Sequence, residues 1–212
     1  SVYDHVSRVG KAISRPKRLE LIDLLIQSEK TVEDLAEESQ MSVANTSRHL
    51  QMLLSARLVS TKRQGHYIHY SLAESAVGGF YHSMVKIAEK RITDIRSISE
   101  SFFQNDEDLE KVKEDHLLEK IRHRKITVID VRPNNEYSAG HLSGALSIPI
   151  DELEYKISGL SKNSEIVVYC RGPYCVYASE AAAILRENGF IAYRLEFGLN
   201  DWKENGFQIE AG

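Results

Sequence analysis

Apolar side chains recur every three or four residues through the first half of the chain, the spacing of an amphipathic helix. The pattern predicts one helix from Val2 and a second after Ser14, where Arg-Pro follows as a helix start. Thr31 and Asp34 have the spacing of a capping box that opens a short third helix. Ser42 is predicted to cap a fourth helix, so four helices are expected before the first long strand.

Two β-like runs follow these helices, at Leu58–Lys62 and Tyr67–Leu72. The residues between them, 63–66, include Gly65, so the two runs are predicted to form a β-hairpin with a tight turn. Helix, turn, helix and hairpin in this order indicate a winged helix-turn-helix domain.

A long apolar series comes after the hairpin, with alternating spacings of four and three residues. Its members are Val77, Tyr81, Met84, Ala88, Ile95, Ile98 and Phe102. Such a seam indicates a long helix that pairs with a second copy in a homodimer, and the alternative is a helix that lies on its own domain. The length of the series favours the homodimer.

Short apolar runs alternate with helical segments in the second half, which is typical of a small α/β domain with a parallel sheet. Buried strands are predicted at Ile126–Val131, Ala145–Ile148, Ile166–Tyr169 and Ala192–Leu195, and helices at Asp151–Leu160 and Val176–Asn188. The polar, acidic residues 105–108 lie between the two patterns. We therefore expect an α+β winged helix-turn-helix domain at 1–103, a linker at 104–112 and the α/β domain at 113–212.

Composition and charge narrow the class of protein. No apolar run approaches the ~20 residues of a membrane span. Two cysteines in 212 residues are not a disulfide framework, so a cytoplasmic location is expected. Residues 41–73 contain no acidic side chain but three arginines, one lysine and three histidines. This stretch indicates a polyanion-binding surface, and the alternative is a chance gap in a solvated surface.

The basic stretch coincides with the elements that contact DNA in winged helix-turn-helix domains, where the second helix of the motif enters the major groove. Its short polar side chains and cations suit base edges and phosphates. The predicted DNA-binding residues are Ser42, Asn45, Thr46, Ser47, Arg48 and His49 on the helix, and Lys62, Arg63, Gln64 and His66 on the wing. The predicted partner is double-stranded operator DNA.

The run from Leu35 to Leu54, followed by the wing sequence RLVSTKRQGHYIHYSL, resembles the ArsR-type family of bacterial repressors. The resemblance covers about the first half of the chain. It implies a dimeric winged-helix repressor, paired through the first and last helices of the domain, that releases DNA when an inducer binds.

The chain departs from this family at the positions that many relatives use to sense metals. Many ArsR-type proteins use cysteines in the third helix, and others bind zinc through Asp and His pairs on the last helix. Here the segment Thr31–Ser39 contains no cysteine, and the last helix offers a single histidine, His82, near Glu89. Because stable zinc sites need three or four well-placed ligands, neither a metal nor another cofactor is predicted.

Both cysteines, Cys170 and Cys175, lie in a six-residue stretch directly after the predicted strand Ile166–Tyr169. Reactive groups lie at the carboxyl ends of strands in open α/β sheets, and the N-terminus of a following helix favours a thiolate. Cys170 is therefore the candidate catalytic thiol. Cys175 either attacks sulfur bound to Cys170, giving a disulfide or a polysulfide bridge, or is a small half-buried residue at a helix start.

Three further motifs accompany this loop: IDVRP from Ile129 with Glu136-Tyr137, GHLSGALSIP from Gly140 and FGLNDWKENG from Phe197. Together they resemble a rhodanese domain, of the thiosulfate sulfurtransferase type, over about the second half of the chain. The resemblance implies that Cys170 carries a persulfide. The active-site loop would comprise Arg171, Gly172, Pro173, Tyr174, Cys175 and Val176, whose backbone N–H groups would cradle the terminal sulfur.

Charged residues around this loop have predicted supporting roles. Arg171 is expected to lower the pKa of the Cys170 thiol and to attract anionic donors such as thiosulfate. Asp130 and Arg132 are expected to form a structural ion pair under the loop. Related phosphatases carry an arginine six positions after the cysteine, and that position is Val176 here, which disfavours phosphatase activity.

These observations leave three functional hypotheses. The first is a homodimeric, sulfur- or redox-responsive repressor whose rhodanese domain takes sulfur from thiosulfate or polysulfide. The second is a sulfurtransferase whose first domain only tethers it to DNA or dimerises it. The third is a DNA-binding regulator with an inert rhodanese domain and an inducer that binds elsewhere.

Overall fold

The computed structural model describes residues 1–92, 94–95 and 114–212. The chain divides into two compact units, Ser1–Thr93 and Asp94–Gly212. The expected domain boundaries after residues 103 and 112 lie outside the described residues, as does the acidic segment 105–108, so the boundaries stay predictions.

Four helices open the first unit, as the hydrophobic periodicity predicts. They are α1 Val2–Ile13, α2 Pro16–Gln27, α3 Val32–Glu38 and α4 Val43–Ser55. Pro16 takes the first position of α2, and Thr31 and Asp34 form the capping box at the start of α3. The Ser42 hydroxyl accepts a hydrogen bond from the Asn45 N–H at 3.3 Å, which caps α4.

The apolar faces of these helices meet in one core, where Leu21, Leu35, Leu50 and Leu53 are buried. Burial of these side chains holds α4 against α2 and α3, because the hydrophobic effect favours removing their surface from water. The face of α4 that remains outside the core is thereby fixed in orientation.

The wing is a β-hairpin in a three-stranded antiparallel sheet of order β1-β3-β2, formed by β1 Lys30–Thr31, β2 Val59–Gln64 and β3 Tyr67–Leu72. The pairing of Gln64 with Tyr67 leaves Gly65 and His66 as the turn. Gly65 has φ 62°, in the left-handed region that glycine tolerates best. Arg63 and Gln64 therefore belong to the strand, and the turn is shorter than the sequence predicts.

The helix that follows the wing is shorter than predicted. α5 spans Ser75–Arg91, and Ile92 adopts an extended conformation that ends it. Val77 is buried in the core of its own unit and Tyr81 packs against that core. The start of the expected dimer seam therefore covers its own domain, and the prediction is wrong there. The seam positions 98 and 102 lie outside the described residues.

The second unit is an α/β domain, as predicted. Its strands are β4 Thr127–Asp130, β5 His141–Leu142, β6 Leu146–Ser147, β7 Ile166–Tyr169, β8 Ala192–Arg194 and β9 Ile209–Glu210. The central sheet is parallel, with strand order β6-β4-β7-β8, and β5 pairs with β9 in a separate antiparallel ribbon.

Five helices are described in this unit: α6 Glu114–Arg122, α7 Asn134–Ala139, α8 Leu153–Lys156, α9 Tyr177–Glu187 and α10 Leu199–Glu204. The helix predicted at 151–160 is broken, because α8 lies between the 3-10 turns Ile150–Glu152 and Ile157–Gly159. Leu153 is fully buried, and Ile150, Ile157 and Leu160 pack against the same core, so the predicted apolar face is present although the backbone alternates between 3-10 and α turns.

The strand β7 is buried on both faces, as expected for the centre of a parallel sheet. Ile166 and Val168 point into one apolar cluster, whereas Val167 and Tyr169 point into the other. Trp202 lies fully buried in the second cluster. This double burial fixes the end of β7, and with it the place where Cys170 leaves the sheet.

A buried ion pair stands at the end of the neighbouring strand β4. Nη2 of Arg132 lies 2.5 Å from Oδ2 of Asp130, and the same nitrogen donates to the Gly140 carbonyl at 2.7 Å. The Tyr169 hydroxyl donates to Asp130 at 2.6 Å. Burial opposes the charge on Arg132, but the hydrogen bonds and charge of Asp130 outweigh it and raise the pKa of Arg132. The predicted ion pair is therefore present, and through Tyr169 it connects β4 to β7.

Replacing Asp130 with asparagine should cost roughly 3–5 kcal/mol of unfolding free energy, because the buried Arg132 loses the carboxylate that balances its charge. Urea unfolding followed by the fluorescence of Trp202, the single tryptophan, measures this unit directly. The matched control is Asp151→Asn at an exposed position, which should change stability by less than about 0.5 kcal/mol. Equal effects of the two substitutions would contradict this account.

Candidate functional site

Most of the predicted DNA-binding side chains lie on exposed surface of the first unit. Ser42, Asn45 and Arg48 are exposed on α4, although the Ser42 hydroxyl is also occupied as the helix cap. On the wing, Lys62, Arg63, Gln64 and His66 are all exposed. Exposed amides and cations on a helix and a neighbouring hairpin can donate to base edges and phosphates.

Thr46 is wrongly predicted as an exposed DNA-contacting residue. Its side chain is 0% exposed, and its hydroxyl donates to the Ser42 carbonyl at 3.1 Å within the helix. Helical spacing explains the correction, because Thr46 is four residues before Leu50 and shares its core-facing side. Ser47 and His49 are half-buried, so they border the exposed face rather than form its centre.

His49 is also less suited to phosphate binding than its residue type suggests. Burial lowers the pKa of its imidazole, and the positive charges of Arg18, Arg48 and Arg15 lower it further. The neutral ring is therefore favoured near neutral pH, so His49 can offer a hydrogen bond but not a fixed positive charge.

Two helices of the first unit, α1 and α5, carry large exposed apolar side chains. Val2, Tyr3 and Val6 on α1 are exposed, as are Phe80 and Ile87 on α5. Both helices pack on the same core, through Val9 and Ile13 of α1 and Val77 of α5. We name the five exposed side chains the apolar face. Exposed apolar side chains mark an interaction site where they come together in one patch.

In the second unit, the two cysteines are joined in a disulfide. Cys170 follows β7 directly, is buried and belongs to the apolar cluster beneath α9. Cys175 is half-buried and precedes α9, and its sulfur is bonded to that of Cys170 with a Cα–Cα distance of 6.2 Å. The sequence left open whether Cys175 reacts with sulfur at Cys170 or is only a small residue packed at the helix start. In the structure Cys175 is bonded to Cys170 and is also half-buried before α9.

The loop that the disulfide closes is held from outside by an ion pair. Glu136 of α7 is 0% exposed, and its carboxylate accepts hydrogen bonds from Nε of Arg171 at 3.1 and 3.0 Å and from Nη2 at 2.5 Å. The guanidinium of Arg171 also lies 5.8 Å from the centroid of the Tyr177 ring. Glu136 thus balances the positive charge of Arg171, which the sequence predicts to act on the Cys170 thiol and on anionic donors.

Two further contacts fix the loop backbone. Gly198, the residue before α10, lies so close to Arg171 that an added Cβ would overlap the Arg171 carbonyl oxygen and lie 3.0 Å from its carbon. Nη2 of Arg194 donates to the Pro173 carbonyl at 2.9 Å. Arg194 is also paired with Glu196, at 3.2 Å.

The predicted cradle of N–H groups is only partly available in this disulfide form. Pro173 has no N–H, and the Cys175 N–H donates to the Gly172 carbonyl at 3.2 Å. Gly172 has φ 145°, a conformation that side-chain-bearing residues rarely adopt. Tyr174 and Val176 are exposed at the outer side of the loop. The cradling role of the loop stays a prediction.

Sequence reasoning missed the loop partners Glu136, Gly198 and Arg194. Glu136 belongs to the first of the quoted motifs and Gly198 to the third, so the motifs were a signal for both residues, although they did not indicate the contact with Arg171. Nothing in the sequence indicates that Arg194 contacts Pro173, because that contact depends on the packing of the folded loop.

The described residues contain no group of three or more His, Cys, Asp or Glu side chains able to hold a metal ion. The expected absence of a metal or cofactor stays a prediction. Within the same residues, no helix has the length and apolar character needed to span a membrane.

Comparison with known families assigns each unit. Residues 15–61 match the family described as bacterial regulatory protein, arsR family, and residues 113–205 match the rhodanese-like domain. Together with the fold, these matches define a winged helix-turn-helix regulatory protein that carries a rhodanese-like domain.

Individual relatives extend this result to the whole chain. The HTH-type transcriptional regulator Rv0324 of Mycobacterium tuberculosis is 35% identical over 212 residues, covering 100% of this chain and 93% of that protein. The transcriptional repressor SdpR of Bacillus subtilis is 33% identical over 90 residues, covering 42% of this chain and all of SdpR. The chain belongs to the ArsR family of bacterial regulatory proteins, in a form that ends in a rhodanese-like domain.

A solved structure also resembles the first unit. It is the homodimeric winged helix-turn-helix DNA-binding domain of Mb0332 from Mycobacterium bovis, a possible ArsR-family transcriptional regulator. The sequences are 34% identical, the match covers 43% of this chain and 84% of that domain, and the TM-score is 0.42.

Gly198→Ala should destabilise the second unit by about 1–3 kcal/mol, because the new methyl group would overlap the Arg171 carbonyl and force the loop to move. Urea unfolding followed by Trp202 fluorescence measures the change. Gly159→Ala is the matched control, since no atom lies within 4 Å of its added Cβ, and its effect should stay within about 0.5 kcal/mol. Similar stabilities for the two variants would contradict the close approach.

Proposed function

We propose that this chain is a homodimeric transcriptional repressor that reports sulfane sulfur through Cys170 and the disulfide that Cys170 forms with Cys175. The observation that carries the proposal is this disulfide at the end of the central strand of the rhodanese-like unit. The chain has no cysteine besides these two, so thiol chemistry is confined to that loop.

The surface of the first unit supports binding to double-stranded operator DNA. The side chains of Asn45 and Arg48 project from α4, and Lys62 and Arg63 project from the wing. A helix that reads the major groove and a hairpin that reaches the backbone are the arrangement of winged helix-turn-helix proteins. Repression is supported by the likeness to SdpR, which is a transcriptional repressor.

The apolar face supports a homodimer built from α1 and α5. Val2, Tyr3, Val6, Phe80 and Ile87 are all about half exposed or more, and burying them against a second copy would remove their apolar surface from water. A two-fold interface presents the same patch twice, so one apolar surface is sufficient to form it. This interface differs from the predicted seam, because Val77 and Tyr81 face the core.

The chemistry follows from two thiols in one loop. In the reduced protein, the Cys170 thiolate attacks the sulfane sulfur of a donor, a new S–S bond forms, and the remainder of the donor leaves. The Cys175 thiolate then attacks Sγ of Cys170, expels hydrosulfide and leaves the Cys170–Cys175 disulfide. Two equivalents of a small thiol, or one dithiol, reduce the disulfide and restore both thiols.

This second step favours sensing over sulfur transfer. A sulfurtransferase must keep its persulfide until an acceptor arrives. A second thiol in the same loop attacks the persulfide and releases its outer sulfur as hydrosulfide. The protein is then left with a disulfide that persists until it is reduced. Substantial thiosulfate:cyanide turnover, with DNA affinity indifferent to sulfur loading, would instead support the sulfurtransferase hypothesis.

Ile87→Glu should convert the dimer to a monomer, because the interface would have to bury an unpaired carboxylate. The matched control is Ile191→Glu in the second unit, where the side chain is 57% exposed compared with 63% for Ile87. Sedimentation equilibrium gives the mass of each variant. A dimeric Ile87→Glu protein, or a monomeric Ile191→Glu protein, would contradict the proposed interface.

Sulfane sulfur should weaken operator binding at least about fivefold, the lower range of measured coupling between two sites. The measurement is fluorescence anisotropy with a duplex selected in vitro against the reduced protein, before and after polysulfide treatment. Intact-protein mass spectrometry distinguishes a gain of one sulfur atom, the persulfide, from a loss of two hydrogens, the disulfide.

Two serine variants serve as matched controls for this experiment. Cys170→Ser should neither gain sulfur nor change its DNA affinity. Cys175→Ser should accumulate the persulfide and keep the affinity of the reduced protein. If polysulfide treatment leaves the operator affinity of the wild type unchanged, sulfur loading and DNA binding are not coupled. If it weakens operator binding by Cys175→Ser, the persulfide alone is enough to cause the change.

A further inference from the structure

We infer that the buried Glu136 is a specificity-determining residue, which sets the loop to accept organic hydropersulfides and to disfavour thiosulfate. The inference rests on the proposed function and names the donor class of the same thiol. The sequence alone suggests a preference for thiosulfate, because it indicates a cation at Arg171 but not the contact between Arg171 and the Glu136 carboxylate. The inferred preference is the opposite.

The charge of Arg171 is balanced within the protein. Its guanidinium donates to both carboxylate oxygens of Glu136, and the Arg171 side chain is mostly buried as well. Paired, charge-assisted hydrogen bonds of this kind are strong and fixed in geometry. Moving Arg171 towards a bound anion would leave the buried Glu136 carboxylate without this partner, which is costly.

The second guanidinium at the loop, that of Arg194, also lies beside a carboxylate, although this carboxylate is 58% exposed. Arg194 donates to the Pro173 carbonyl and pairs with the Glu196 carboxylate at 3.2 Å. Arg171 and Arg194 are thus each paired with a carboxylate, and the two ion pairs together carry no net charge. The exposed side chains of Tyr174 and Val176 make the outer side of the loop largely apolar.

Thiosulfate and a hydropersulfide differ in what such a site must accommodate. Thiosulfate carries two negative charges, so its approach to the buried Cys170 requires cations that are free to compensate for lost water. A hydropersulfide, R–S–SH, carries at most one charge on its sulfur, and its R group can pack on apolar surface. Electrostatic complementarity therefore favours the hydropersulfide.

The transfer step needs no external oxidant. The Cys170 thiolate attacks the terminal sulfur of R–S–SH, the S–S bond of the donor breaks, and the thiolate RS⁻ leaves. Cys170 gains that sulfur together with its proton and becomes the hydropersulfide. The protein must first be reduced with a dithiol, because the Cys170–Cys175 disulfide blocks the attacking sulfur.

The test compares the loading rates of two donors on the reduced, desalted full-length protein. The donors are thiosulfate and hydroxyethyl hydropersulfide. Rapid-quench mass spectrometry measures loading as the sum of the persulfide, a gain of one sulfur, and the disulfide, a loss of two hydrogens, because Cys175 converts the first into the second. The ratio of the two rates is divided by the same ratio for free glutathione, which removes the intrinsic reactivity of each donor. The wild type should give a normalised thiosulfate-to-hydropersulfide ratio well below one.

Glu136→Gln should raise this normalised ratio at least about tenfold, because it removes the carboxylate charge and leaves the Arg171 cation unbalanced beside Cys170. Glu136→Asp keeps the charge and perturbs the same position, so its ratio should stay near that of the wild type. A loss of packing alone would move both variants together.

Each outcome separates this inference from the proposed function. Loading by hydropersulfide but not by thiosulfate, with the shift in Glu136→Gln, supports both. A normalised wild-type ratio of one or more overturns the inference and leaves the sensing function standing, whether or not the Gln variant folds. An unchanged ratio in a folded Glu136→Gln protein also overturns it. If neither donor loads Cys170, the proposed function is overturned as well.

Discussion

The ion pair between Glu136 and Arg171 is the interaction on which the thiol loop depends. It joins α7 to the residue that directly follows Cys170, across a separation of 35 residues in the chain. Because both partners are largely buried, the carboxylate and the guanidinium each require the other. The pair fixes where the loop begins, and the backbone of Gly198 packs directly against the Arg171 carbonyl. The pair therefore holds Cys170 in place and also determines the charge near it.

The sequence predicted those features that are local in the chain. The strand Ile166–Tyr169 lies where its apolar run indicates, because a short run flanked by polar residues admits few other structures. The capping box of Thr31 and Asp34 is likewise a contact between near neighbours. The Asp130–Arg132 pair spans two residues and was also predicted. The candidate thiol site followed from such local signals.

Features that depend on long-range packing could not be predicted in the same way. Thr46 is of a residue type suited to DNA contacts, and the position of α4 on the core decides that it is buried. The apolar series after the wing was assigned to a dimer seam, but Val77 faces its own domain. Arg171 was taken as a free cation because its partner is distant in sequence. In each case the residue type indicated a possible role, but the sequence did not show which residues would surround it in the fold.

The central claim is that the redox state of the Cys170–Cys175 pair and DNA binding are coupled. Coupling between two sites is reciprocal, so operator DNA must alter the thiol–disulfide equilibrium if the disulfide alters DNA affinity. The most direct measurement is the midpoint potential of the cysteine pair in thiol–disulfide buffers, with and without saturating operator DNA. Tighter DNA binding by the dithiol form predicts a less negative midpoint potential in the complex. Identical potentials with and without DNA would contradict the account.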